Sequence, residues 1–151
     1  MREGPDFACL ADLEELNSLL SLLFSQEKEF TPNPELQALA LERLLKGSDR
    51  AQVFVYRHQD KAVGMLSLQR VVSTACGGEV GLLEDFVVQP PYRGRGWGRR
   101  LLQFALNFAR QQNLQRITLL TDADNALAQK LYQKEGFTPS SMLVLRWAPS
   151  V

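Results

Sequence analysis

The spacing of apolar positions changes along this chain, and each change marks an element. Residues 7–10 form a short apolar run after Pro5 and read as a strand. Asp12 then stands where an N-cap residue would open the leucine-rich stretch 13–24 as a helix. Thr31-Pro32-Asn33-Pro34 breaks the chain. From Glu35, Leu36, Leu39, Ala40 and Leu44 recur at helical spacing until Gly47 stops a second helix. Residues 52–57, 61–72 and 80–89 are rich in Val, Leu and Phe and are separated by polar turns at 58–60 and 73–79. That pattern predicts three consecutive antiparallel strands.

After Pro90-Pro91 the period lengthens. Gly98, Leu101, Leu102, Ala105, Phe108 and Ala109 make one apolar stripe, with Arg99, Arg100, Gln103, Asn107 and Arg110 opposite, so one face of this helix packs on a sheet. A β-rich run at 116–121, an amphipathic helix at 125–135 closed by Gly136, and a final strand at 142–147 complete the pattern. The predicted order is β-α-α-β-β-β-α-β-α-β, a mixed α/β (α+β) domain spanning 1–151.

Composition narrows the function classes. Hydrophobic residues make up 45% of the 151, enough for a full core. Seventeen basic and seventeen acidic residues cancel, so no global field draws the chain to nucleic acid or membrane, and neither is expected as a partner. The longest strongly apolar stretch, 16–24, is interrupted by Asn17, Ser18 and Ser21 and is too short to span a bilayer. Residues 1–6 carry no apolar signal core, so a cytoplasmic location is expected. Cys9 and Cys76 then read as reduced bystanders. The single histidine, His58, has no Cys or His near it in sequence, so no metal site is expected.

Candidate chemistry concentrates at Tyr92-Arg93-Gly94-Arg95-Gly96-Trp97-Gly98-Arg99-Arg100, where a strand gives way to a helix. Alternate glycines let backbone N–H groups converge, and free amides at a helix N-terminus attract phosphate, with four arginines nearby. A solvated basic turn that merely caps a helix has the same composition. A dinucleotide fingerprint fails on spacing, and no Gly-Lys-Ser/Thr follows Gly98 to make a P-loop.

The spacing Arg93-x-x-Gly96-x-Gly98 resembles the acetyl-CoA pyrophosphate motif of the GNAT superfamily of N-acetyltransferases. The preceding Leu83-Glu84-Asp85-Phe86-Val87-Val88 resembles that family's central strand. The segment from Asn125 through Tyr132 to Gly136-Phe137 resembles its later helix. The likeness is close over about residues 80–138, and the Leu-Glu-Asp strand is most similar to the branches that acetylate polyamines and small amines. Two departures stand out: Trp97 replaces a smaller aliphatic residue, where an indole would alter the helix seat or cover the coenzyme, and Pro91 replaces a polar residue.

The resemblance implies a splayed, mostly antiparallel sheet and acetyl-CoA as co-substrate. Phe86, Val87 and Val88 would pair with pantetheine, while Arg93, Gly94, Arg95, Gly96, Trp97, Gly98 and Arg99 would hold the pyrophosphate; Asn125 would reach the pantetheine or pyrophosphate arm, although Asn at a helix start is also a common plain cap. It implies Glu84 as general base through a water and Tyr132 as general acid for the leaving thiolate. By strand alternation, Asp85 should face away from Glu84 and Phe86. The family it resembles often pairs into homodimers, which leaves the oligomeric state open here, with the terminal strand at 142–147 a candidate sheet edge. A module that binds acetyl-CoA without turnover is the competing reading.

One feature bears on the acceptor. Residues 11–45, the presumed acceptor wall, hold seven acids (Asp12, Glu14, Glu15, Glu27, Glu29, Glu35, Glu42) against Lys28 and Arg43. Glu27, Glu29 and Phe30 before the proline break would hold a small cationic amine by charge and cation–π contact. The solvated faces of two helices would show the same bias.

Overall fold

The computed structural model describes residues 1–47 and 49–150. Its elements are β1 (Gly4–Phe7), α1 (Leu13–Gln26), α2 (Pro34–Leu45), β2 (Ala51–His58), β3 (Lys61–Ser73), β4 (Gly78–Val88), α3 (Trp97–Gln111), β5 (Ile117–Leu119) and α4 (Ala126–Lys134). The strands form one open sheet in chain order, antiparallel from β1 to β4, with β5 parallel to β4. A parallel pair needs a long crossover, and α3 supplies it.

Alternation along β2 divides the core in two. Val53 and Val55 face α1 and α2 and pack with Leu16, Leu19, Leu20, Leu41 and Met65. Phe54 and Tyr56 point the other way, into a cluster with Leu66, Leu68, Leu83 and the α3 stripe Leu101, Leu102, Ala105 and Ala109. Each fully buried leucine contributes about 1.5–3 kcal/mol, so the sheet is stabilised from both faces.

Three local expectations need correction. The first strand lies at Gly4–Phe7 rather than 7–10 and contains Pro5, which an edge strand tolerates because one side of its backbone needs no ladder partner. In α2 the buried positions are Gln37 and Leu41, whereas Leu36 and Leu39 face solvent. Gln37 tolerates burial because its amide donates to Asn17 Oδ1 (2.7 Å) and Ser21 Oγ (3.0 Å), and its Oε1 accepts the Asn33 N–H (2.7 Å). Residues 142–147 form no strand, so the observed order ends at α4. Among the described residues no backbone ladder reaches them, and Met142, Leu143, Leu145 and Trp147 are exposed.

Asp12 stands at the N-cap position of α1, but its carboxylate does not cap that helix. It turns back to accept the Cys9 N–H and to meet Arg57 with both oxygens, Nη1–Oδ1 and Nη2–Oδ2 at 2.9 Å each. Arg57 shares a face of β2 with Val53 and Val55 and is almost wholly buried, so it requires a fixed counter-charge. Asp6 adds a weaker contact at 3.3 Å. Burial alone would raise the Asp12 carboxyl; the Arg57 hydrogen bonds and the Cys9 amide override it and hold the group below its ordinary value. The pair ties β1, β2 and the start of α1 together.

Replacing Asp12 by Asn leaves Arg57 largely uncompensated and is expected to cost about 3 kcal/mol near neutral pH. Because the folded carboxyl is depressed, its contribution is present above the ordinary aspartate range and disappears as pH falls through the folded value. Denaturant titrations at about pH 7 and about pH 3 should therefore show the gap between parent and Asp12→Asn narrowing in acid, and an equal gap at both would refute this role.

Candidate active site

The site begins with an irregularity in β4. Met65 of β3 pairs with Val87 and Ser67 pairs with Glu84, so two β4 residues, Asp85 and Phe86, stand opposite the single residue Leu66. This is a β-bulge, and Asp85 takes the left-handed conformation it needs (φ 58°). Aspartate is among the few side chains that adopt this conformation at modest cost. On the other edge, β4 pairs with β5 only from Gly81 to Leu83. Past Leu83 the two strands part, and β4 offers an open edge facing a gap.

The bulge overturns the alternation expected for the paired carboxylates. Glu84, Asp85 and Phe86 all line the same cleft, together with Leu23 and Glu27 from α1 and its end, Leu119 to Asp122 after β5, and Asn125 and Tyr132 around α4. The enclosed volume is about 90 Å³, room for a few water-sized groups and far less than a coenzyme.

The cleft has unusual electrostatics. Burial, with the charge of Glu84 beside it, pushes the Asp85 carboxyl up to about 6, although the Ser67 hydroxyl donates to its Oδ2 at 3.1 Å. Burial raises Glu27 as well, reinforced by Asp122, Asp85, Glu84 and Glu29. Tyr132 is pushed up to about 12 by burial and by Glu27, so its hydroxyl keeps its proton at neutral pH. Its ring packs between Phe86 and Phe137, at centroid distances of 6.2 and 5.8 Å. A carboxylate reluctant to ionise and a phenol that stays protonated therefore share one cleft.

The glycine-rich turn opens α3 at the same end of β4. Gly94 and Gly96 are left-handed (φ 77° and 79°), and a Cβ at either would meet nothing within 4 Å, so the turn is open on its outer side. Gly98 differs: a Cβ there would lie 3.4 Å from the Phe86 ring, which seats the helix start against the cleft wall. The first bond into α3 runs from the Arg100 N–H to the Gly96 carbonyl. Among the described residues, the amides of 94–99 have no backbone acceptor, as an anion cradle requires.

The arginine side chains are mostly engaged elsewhere. Arg93 Nε donates to the Val88 carbonyl at 2.8 Å, Arg99 Nε to Glu135 at 2.6 Å, and Arg100 Nη1 to the Tyr56 hydroxyl at 2.6 Å. Arg93 and Arg99 thus shape the turn, and Arg95 lies over the rings of Tyr92 and Trp97. Trp97 is sandwiched between Tyr56 and Tyr92, stacked at 4.9 and 5.6 Å. The indole is therefore the seat of the turn and does not reach over the cleft.

Other predicted residues separate. Val87 is buried toward α1, whereas Phe86 lines the cleft. Asn125 Oδ1 caps α4 by accepting the Ala128 N–H, although the residue also borders the cleft. Of the acceptor trio, only Glu27 lines the cleft. Glu29 pairs with Arg146 (3.0 Å), and Phe30 packs on Phe24 beneath the same guanidinium. Part of the acidic bias of 11–45 is structural: Asp12 holds Arg57, Glu15 accepts the Ala62 N–H, and Glu42 pairs with Lys46. Asp122 was not anticipated, and only its place just after a short strand hinted at it.

Comparison with known proteins agrees with this geometry. The model of the acetyltransferase (GNAT) family matches residues 13–137. A mycothiol acetyltransferase of Beutenbergia cavernae is 32% identical over 117 residues, which is 74% of this chain but 38% of that protein, so the chain spans well under half of that relative. A glucosamine 6-phosphate N-acetyltransferase of Trypanosoma brucei brucei is 30% identical over 128 residues, 82% of each. The crystal structure of a probable acetyltransferase superposes with a TM-score of 0.81 at 25% identity, covering 100% of this chain and 99% of that one. With its bulged central strand, its parting β4 and β5 and its open glycine turn, this chain belongs to the acetyltransferase (GNAT) family.

Proposed function

We propose that the chain is an N-acetyltransferase that moves an acetyl group from acetyl-CoA to the primary amine of a small cationic molecule by direct attack in a ternary complex. The observation that carries this reading is the convergence of Glu84, Asp85, Tyr132 and Glu27 on one cleft beside an open cradle of amides. The amides of 94–99 and the Arg95 side chain would hold the pyrophosphate, and the open edge of β4 at Phe86 and Val88 would pair with the pantetheine arm. Acetyl-CoA supplies an activated thioester; the chain supplies position, charge and proton transfer. An outward N–H of this strand would stabilise charge developing on the thioester oxygen.

An amine is protonated at neutral pH, so attack needs a base. Glu84, through a water, takes the proton, and Asp85, one residue on in the bulge, shares that task because its raised carboxyl is closer to the amine in basicity. Tyr132 keeps its proton until it is delivered to the departing thiolate. Glu27, Glu84, Asp85 and Asp122 meet a cationic acceptor, and the repulsion that adds to burial in raising Glu27 is relieved when a cation enters. Glu29 and Phe30 are engaged with Arg146 and do not line the cleft.

Ligand binding is tested first. At 100 times its dissociation constant, acetyl-CoA should stabilise the fold by about 2.7 kcal/mol. Gly96→Asp adds a negative side chain at a left-handed position in the cradle and should abolish that melting shift in a protein that still folds. A full shift in this variant would remove the turn from the binding site.

Glu84→Gln and Tyr132→Phe are each expected to lower kcat by about 10²–10⁴-fold with little change in acetyl-CoA affinity. The parent's kcat/KM should rise with pH through about 6 as Asp85 ionises, and Asp85→Asn should remove that limb. The same variant should be more stable than the parent near neutral pH. Because the folded carboxyl is raised, ionised Asp85 costs stability above its ordinary range, and the advantage of Asn disappears in acid, where both states are protonated. A profile still rising through the same pH in Asp85→Asn would assign the limb elsewhere.

For the acceptor, Glu27→Gln is expected to raise KM for a cationic amine about tenfold while leaving the acetyl-CoA-induced melting shift unchanged. An amine panel read by free thiol release would refute the cationic preference if anionic amines turned over equally well.

A further inference from the structure

The loop that follows α1 carries a primary amine at the edge of the cleft. Glu27 lines the cleft, and Lys28 is the next residue. The Lys28 Nζ reaches across to the Asp124 carboxylate, which stands between the cleft residues Asp122 and Asn125. Both side chains of the pair are mostly exposed (73% and 63%), and an exposed ion pair biases its partners only a few-fold, so the amine leaves Asp124 readily. The backbone around it is lightly tied. Among the described residues, no amide from 28 to 32 donates to a backbone carbonyl, and side chains hold the loop: Lys28 on Asp124, Glu29 on Arg146 and Phe30 on Phe24. The other lysines lack this placement. Lys46 pairs with Glu42 at the end of α2, and Lys61 opens β3. Lys130 and Lys134 lie two residues either side of Tyr132; two residues turn a helix by about 200°, so both face away from the cleft that Tyr132 lines.

We propose that Lys28 is a site of self-acetylation, a step that rests on the N-acetyltransferase reading of the cleft: with acetyl-CoA bound and no free acceptor present, the acetyl group passes to the Nζ of the chain's own rim lysine. Lysine has the chemistry that an acidic cleft selects, a cationic primary amine, on a flexible four-carbon stem, and its short tether keeps it at a millimolar effective concentration. Asp124, with the charge of Asp122 nearby, holds the Lys28 ammonium above its ordinary range, so it keeps its proton until a carboxylate of the cleft takes it. Glu84 or Asp85 removes one proton through water, and the neutral nitrogen bonds to the acetyl carbonyl carbon. The carbon–sulfur bond breaks with its electron pair going to sulfur, Tyr132 protonates the thiolate, and the nitrogen loses its second proton. Acetyl-CoA and a lysine ammonium thus become acetyl-lysine, free thiol and one released proton. Acetylation removes the charge that Asp124 holds, so the rim becomes more negative and draws a cationic acceptor more strongly.

The test is incubation of the purified chain with acetyl-CoA and no added amine, followed by intact-mass and peptide mass spectrometry. One acetyl group per chain is expected, on Lys28, and the fraction modified per unit time should not depend on chain concentration, because transfer is within one molecule. Gly96→Asp, which spoils the coenzyme cradle, and Tyr132→Phe should each slow the modification by at least about tenfold. In Lys28→Arg, which keeps a cation for Asp124, the acetyl group should be absent rather than moved to another lysine, with the acetyl-CoA-induced melting shift unchanged. Modification spread over Lys46, Lys61, Lys130 and Lys134 that persists in Gly96→Asp is uncatalysed acetylation and overturns the proposal. So does a fractional rate that rises with chain concentration. Lys28 left unmodified in a chain that releases free thiol with an amine panel overturns self-acetylation and leaves the enzymatic reading standing, whereas a chain that modifies neither Lys28 nor any free amine overturns both.

Discussion

The site depends on a constraint in β4: this strand cannot keep a regular ladder with both neighbours along its whole length. Opposite Leu66 it carries one residue too many, and past Leu83 it loses β5. A bulge sharpens the local twist and re-aims side chains. Here it brings Glu84 and Asp85, which alternation would send to opposite faces, into the same cleft. The parting from β5 leaves backbone groups of β4 without a ladder on one side. In an ordinary sheet that is a defect; beside an amide cradle it is a place for an extended ligand to lie.

The structure holds this irregularity in place from two directions. Behind the bulge, Ser67 bridges the Glu84 carbonyl and the Asp85 carboxylate, both at 3.1 Å. In front, the Phe86 ring receives Gly98 at the start of α3, and the far side of that turn is backed by the stack of Tyr56, Trp97 and Tyr92. Offset aromatic stacking is worth about 0.5–1.5 kcal/mol per pair beyond area burial. It acts on residues flanking the left-handed glycines, where an unsupported loop would lose its shape. The tryptophan that departs from the family pattern thus supports the cradle through packing, and Arg95 above it is left facing outward.

Most of the element order was legible because periodicity reports burial directly. The three antiparallel strands, the α3 stripe and both later elements lie within a few residues of where spacing puts them. The misses share a cause: side chains whose partners are distant in sequence. Asp12 looks like a cap until Arg57, forty-five residues away, claims it. Leu36 and Leu39 look like core until Gln37 finds Asn17 and Ser21 across the helix pair. Residues 142–147 look like a strand, and among the described residues they lack the neighbour that a strand requires. The bulge was the one miss with a local signal. Two adjacent carboxylates within an apolar strand cannot both be ordinary surface residues, and the second is of a type that tolerates positive φ.

The zero net charge conceals a strong internal separation, and that separation orders the cleft. At one end lie free amides, two left-handed glycines and Arg95, a region of positive potential suited to phosphate. At the other lie Glu27, Glu84, Asp85 and Asp122, where burial, reinforced by mutual repulsion, holds Glu27 and Asp85 above their ordinary range. Phe86 and Tyr132 both line the cleft between these groups. Repulsion among carboxylates costs folding free energy, and nothing in either core cluster requires it. Such a cost is tolerated where a ligand removes it, and a cation entering among these carboxylates would do so while lowering the basicity of the groups around it. The negative field that would draw a cationic acceptor in would also hold its proton on, so direct attack would require a base in the same cleft whose own basicity is raised. The bulge would supply such a base by turning Asp85 into the cleft, where burial pushes its carboxyl up to about 6 beneath the Ser67 hydroxyl.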